Sequence, residues 1–150
     1  MKIFSGAELD RLAFTLGGLG AGNICIKGTG ALGSFCIRNA PGIYWDPMVF
    51  SAVTILGEKR IPHLEAPIPG MDITAHYAGS GYGLVGKPYG FLRFSRGEFS
   101  SRFPFADLRL ADDRLPLEAR IKAWSPFVPG NADKSYRIIT TFYIAVYRCS

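Results

Sequence analysis

Twelve carboxylates are the residues with which this 150-residue chain could do chemistry. Hydrolysis of a glycosidic bond needs only two of them, about 5–10 Å apart across a bound sugar. Asp107 and Glu118 fall on the outward parity of strand-like segments, where a solvated sheet face places its charges. Asp112-Asp113 reads as a turn, because Asp favours such positions and leucine-rich segments flank it. No two carboxylates are brought together by sequence alone, so no catalytic residue is assigned. Tyr44-Trp45 and Trp124 offer a second route to sugar, since a ring face stacks on the apolar side of a pyranose. A Trp close to Pro, however, more commonly plugs a core or an edge.

Other chemistries fail on context. Gly28-Thr-Gly-Ala-Leu-Gly33 has GxGxxG spacing after a strand-like segment, but a dinucleotide needs a helix opening at the third Gly to meet its pyrophosphate. Ser34-Phe-Cys-Ile-Arg38 is strand-like instead, which leaves a glycine-permitted loop and no cofactor site. His63 and His76 have neither a Cys pair nor an HExxH to complete a metal site. A nucleophilic Ser would need a Gly-x-Ser-x-Gly elbow, and none occurs.

The elements that would carry these residues are mostly strands. Eighteen Gly, ten Pro, eleven Phe and seven Tyr indicate chain reversals between ring-rich segments, which excludes a helical bundle. Ser5-Gly-Ala-Glu8 has capping-box spacing and predicts a short N-terminal helix. Asn23–Lys27 and Ser34–Arg38 predict a hairpin through Gly28–Gly33; pairing positions that sum to 61 sets Ile24 on Ile37, Ile26 on Phe35 and Cys25 on Cys36. Further strands are expected at Met48–Leu56, Lys59–Leu64, Phe91–Phe94, Phe99–Leu110 and Leu117–Trp124. Ile138–Tyr147 is apolar at both parities, as for a strand covered on both sides. Between Pro62 and Gly90, ten of 29 residues are Gly or Pro, which predicts a long loop excursion. The expectation is one all-β domain over residues 1–150, an antiparallel β-sandwich with long Gly/Pro-rich loops.

Seventeen basic against twelve acidic residues give a net charge of +5, yet between Lys87 and Lys122 eight cations alternate with five carboxylates. That mixture belongs to a solvated sheet face, and nucleic acid is not an expected partner. Three cysteines without CxxC spacing suit a reducing compartment. The first ten residues carry acids where a signal peptide needs an apolar core, and no apolar run is long enough to span a bilayer. A cytoplasmic location is expected, with peripheral membrane association left open.

Three strings go beyond a generic sandwich. They are Phe4-Ser-Gly…Leu12-Ala-Phe-Thr-Leu-Gly-Gly-Leu-Gly-Ala-Gly-Asn with Gly-Ala-Leu-Gly-Ser-Phe-Cys-Ile-Arg-Asn39; Gly86-Lys-Pro-Tyr-Gly…Arg93-Phe…Phe99-Ser-Ser-Arg-Phe-Pro-Phe105; and Arg120…Ala123-Trp-Ser-Pro-Phe-Val-Pro-Gly-Asn-Ala-Asp133. In order and spacing they resemble the N-terminal domain of glycoside hydrolase family 116, which includes β-glucosidases and non-lysosomal glucosylceramidases acting also on bile-acid glucosides. The resemblance implies a β-sandwich packed on a C-terminal (α/α)6 catalytic toroid. In the family a Glu nucleophile and an Asp acid/base on the toroid act on a β-glucoside or glucosylceramide, and neither has a matching position in this chain. The expectation is therefore the scaffold domain of a two-domain retaining glycosidase, truncated before its toroid and inactive alone, with no catalytic, cofactor or metal residue. Ala40 stands where the family often has Arg, and Ser135-Tyr-Arg departs from its usual Ser-apolar-Pro step. The competing expectation is an autonomous carbohydrate-binding or protein-interaction sandwich.

Overall fold

The computed structural model describes residues 2–18, 20, 22–37, 40, 49–67, 83–84, 87–88, 92–135 and 141–148. In chain order the strands are β1 (Ile3–Ser5), β2 (Ala13–Thr15), β3 (Asn23–Lys27), β4 (Leu32–Cys36), β5 (Gly83–Leu84), β6 (Lys87–Pro88), β7 (Arg96–Arg102), β8 (Phe105–Ala111), β9 (Leu117–Trp124) and β10 (Thr141–Arg148). They form a five-stranded sheet of order β1-β7-β8-β9-β10 and a three-stranded sheet β2-β3-β4, both antiparallel, with β5 and β6 as a separate two-residue ladder. The molecule is mostly β and sandwich-like. Among the described residues no helix is long and apolar enough to cross a membrane.

Alternation builds the larger sheet. In β9, Leu117, Ala119, Ile121 and Ala123 are buried while Glu118 and Lys122 face water, and β8 repeats the pattern with Ala106, Leu108 and Leu110 inside. Successive registers align Phe4, Phe99, Leu108, Ile121 and Ile144 in one row across all five strands. Leu108 is fully enclosed, and burial of a side chain this size contributes roughly 1.5–3 kcal/mol. The smaller sheet and the 63–66 segment supply the opposing layer through Leu16, Ile26, Leu64 and Ala66.

The glycine-rich connection between β3 and β4 lies on that row. Gly30 has φ +97°, and a Cβ there would fall 2.7 Å from Leu108 Cδ2, so only glycine lets the loop seat this closely. The Ser5 capping box is realised at a 3-10 helix, Gly6–Arg11, with the Ser5 amide donating to Glu8 Oε2 at 3.4 Å.

Several strand expectations are corrected. The β3–β4 hairpin pairs Cys25 with Gly33, Ile26 with Leu32 and Asn23 with Cys36, through a bulge between Asn23 and Cys25. Positions therefore do not sum to 61. The turn is tighter than expected, closed by Lys27 N to Ala31 O at 2.8 Å and Gly30 N to Lys27 O at 2.9 Å. That turn puts Leu32, and not Phe35, opposite Ile26. Residues 49–64 form no regular strand: Val53 N to Pro62 O and Leu64 N to Ser51 O frame a single Ala52–His63 bridge, and Pro62 has no amide to extend it. Arg93 likewise makes one isolated bridge, to His63. The single strand expected at Phe99–Leu110 is a hairpin, split at the Phe103–Pro104 turn. β10 is covered on one side only, because Ile144 packs on the core while Tyr143 and Tyr147 are half exposed on the other face. Most of the 62–90 excursion, with His76, and the Tyr44-Trp45 pair lie outside the described residues.

Candidate functional site

The three distinctive strings meet at one end of the sandwich. Ser125, just past the end of β9, is buried; its hydroxyl donates to Gly17 O at 3.4 Å and accepts from the Phe127 amide at 3.3 Å. Its own amide donates to Pro104 O at 2.8 Å. One serine thus ties the glycine-rich string, the Arg-Phe-Pro-Phe string and the Trp-Ser-Pro-Phe string together. Backbone crowding explains the glycines beside it: a Cβ at Gly17 would lie 2.0 Å from Gly22 O, and one at Gly22 would lie 2.7 Å from Cys36 O. Beyond the junction, the loop after Phe127 is closed by Ser135, fully buried, whose hydroxyl accepts from the Val128 amide at 2.8 Å and lies 2.7 Å from Asn131 O.

Five of the described carboxylates are tied to a cation: Glu8, Glu65, Asp107, Asp112 and Asp113. Asp112 Oδ1 accepts from the Arg114 amide at 2.9 Å and from Arg114 Nε at 2.8 Å, while its Oδ2 accepts from Arg114 Nη2 at 2.6 Å and from the Ser95 amide at 3.0 Å. Arg114 first, with these amides, holds its carboxyl down at about 2 against the opposing effect of burial. Asp112-Asp113 is the turn between β8 and β9, as its sequence indicates, and Asp113 takes an exposed pair with Arg96. On the outer face of the five-stranded sheet Asp107 accepts from Arg120 Nε at 2.8 Å. Glu65, buried between the layers, accepts from Arg93 Nε at 3.0 Å. Beside it His63 stacks on Phe50 with centroids 4.5 Å apart. Burial pushes the His63 imidazole below its usual range; Glu65 acts against that and Arg93 with it.

For glycoside hydrolysis a general acid must hold its proton near neutral pH, which takes a desolvated carboxyl without a cationic partner. Asp107 and Glu118 share the outer face, but Glu118 pairs with Ala111, four residues along β8, or about 14 Å away at strand spacing. Glu98 is diagonal to Asp107, since it pairs with Arg109, and such neighbours stand roughly 7–8 Å apart. That spacing would suit a sugar. Yet Glu98 is exposed opposite Arg109, and Asp107 is bound to Arg120, so neither is a desolvated carboxyl without a cation beside it. Gly28–Gly33 is a loop and strand start with no helix behind it. Cys25 and Cys36 are thiols, and among the described residues no three His, Cys, Asp or Glu converge. Sequence reasoning missed the Ser125 junction and the exposed ring pair Phe103 and Phe105; in the sequence, only the density of Pro and Phe around residues 103–105 and 126–129 points to them.

A comparison with curated proteins finds no match. The family profile described as "beta-glucosidase 2, glycosyl-hydrolase family 116 N-term" matches residues 13–142. That span contains the Ser125 junction and all of the five-stranded sheet except β1 and most of β10. By this match the chain belongs to glycosyl-hydrolase family 116, as a member of its N-terminal domain.

Proposed function

We propose that the chain is a non-catalytic β-sandwich that braces the helical catalytic domain of a retaining β-glucosidase or glucosylceramidase, where the glycoside chemistry takes place. The observation that carries the reading is the use made of the family strings. Gly17 and Pro104 are bound through their carbonyls to Ser125, and the buried Glu65 and Asp112 and the outer-face Asp107 each have an arginine partner. Groups so engaged hold a shape. A reducing, cytoplasmic setting belongs to the same reading, supported by the sequence, whose three cysteines have no CxxC spacing. The test is sedimentation of this chain mixed with a separately produced family 116 catalytic domain. A one-to-one complex is expected. Two species that never associate would favour the autonomous module instead.

A further inference from the structure

We propose that the cleft beside the Phe103–Pro104 turn binds an anionic pyranoside, a sugar ring bearing a carboxylate. The cleft has a volume of about 330 Å3 and is lined by Ser100, Arg102, Phe103, Phe105, Asp107 and Lys122, among others. That size lies at the lower end of small-ligand sites, roughly 300–1,000 Å3. Its two rings are held in water: Phe103 is 51% and Phe105 48% exposed. Neither is loose. Phe127 meets Phe103 edge-on, with centroids 6.1 Å apart at 70°, and Lys122 Nζ sits 5.2 Å from the Phe105 centroid. A pre-oriented ring lowers the ordering cost of binding, and its negative π face suits the polarised C–H face of a pyranose.

Charge narrows the sugar. The Asp107 carboxylate is already matched by Arg120, while Arg102 and Lys122 have no acidic partner among the described residues. The cleft therefore carries two cations without a carboxylate partner, Lys122 resting on the Phe105 ring, beside the Phe103 ring, with the Ser100 hydroxyl and an Asp107 oxygen lining it toward sugar hydroxyls. A neutral glucoside would use the rings and hydroxyl groups but leave the cations unmatched. A bare anion would use the cations and ignore the rings. A uronate-type ring uses both. Nucleic acid suits the site less well, because Glu98 and Glu118 on the same face oppose a phosphate chain. The inference is independent of the bracing role and requires no hydrolysis.

Amide NMR titration of the intact chain tests it, with methyl β-glucuronide and methyl β-glucoside as probes that differ at a single carbon. The expected result is saturable shifts concentrated at residues 100–107 and 122, with the glucuronide bound at least about fivefold tighter, the size two exposed ion pairs supply. Added salt should narrow that gap. Arg102→Gln or Lys122→Gln should weaken only the glucuronide, and Phe103→Ala should weaken both. Absence of saturable shifts, equal affinity for the two sugars, or inorganic sulfate reproducing the glucuronide shifts at the same affinity would each overturn the proposal. The titration of the unsubstituted chain decides the question even if a variant folds poorly.

Discussion

Asp112→Asn isolates one buried charge whose contribution can be worked from the structure. The Asp112 side chain is fully enclosed, and it receives three hydrogen bonds from Arg114 and one from the Ser95 amide. These hold its carboxyl at about 2 against an ordinary value of 3.8. A difference of nearly two pH units corresponds to about 2 kcal/mol of stability. Because the folded carboxyl is the stronger acid, this contribution is complete above the unfolded value near 3.8 and is lost as pH falls through about 2. Urea unfolding of the parent chain and the variant, followed by far-UV circular dichroism, should show a gap of about 2 kcal/mol at pH 7 that holds to pH 5. Between pH 4 and 2 the gap should close. A gap that persists unchanged at pH 2, or none at pH 7, would refute the assignment of Asp112 as the charged clasp of the β8–β9 turn.

Three further outcomes are expected from the same unfolding assay. Gly30→Ala combines a φ of +97° with a Cβ 2.7 Å from Leu108 Cδ2 and should cost about 2–4 kcal/mol. Leu108→Ala, inside β8, should cost about 3 kcal/mol, while Arg109→Ala one residue later on the outer face should stay within about 0.5 kcal/mol; equal effects would contradict the sidedness of the sheet. Ser125→Ala leaves the Phe127 amide and Gly17 carbonyl without that hydroxyl and should cost about 1–2 kcal/mol, with amide exchange accelerating at Phe127; unchanged exchange would detach Ser125 from the junction.

Where side-chain alternation and burial agree, the sequence was enough to find the element. Leu117–Trp124 is a strand with the expected ends because its odd residues are apolar and its even ones charged or aromatic. The outward setting of Asp107 and Glu118 follows from the same parity. The first hairpin failed in register, although its existence was legible, because strict alternation leaves no room for a bulge: the pairing shifts between Asn23 and Cys25, and nearer the turn it brings Leu32 rather than Phe35 opposite Ile26. The tight Gly28–Ala31 closure that goes with this register sits against Leu108, 78 residues from Gly30, a contact no local pattern announces. β10 looked two-sided because Tyr143 and Tyr147 count as apolar in a pattern, whereas a tyrosine ring with its hydroxyl in water serves equally well on an open face. The site was less legible than the fold. Asp107 and Glu98 become neighbours only through the β7–β8 register, and the arginine partners of Glu65 and Asp107 lie 28 and 13 residues away.

The central claim is that this family 116 chain shapes and supports a glycosidase without performing hydrolysis. Its most direct test is turnover of an aryl β-glucoside by the chain alone, at high protein concentration from pH 4 to 8, beside Glu98→Gln and Asp107→Asn variants. The account predicts release of aglycone at the buffer rate in all three. Turnover above buffer by the parent chain, abolished in either variant, would place a working carboxylate pair on the outer sheet face and contradict it.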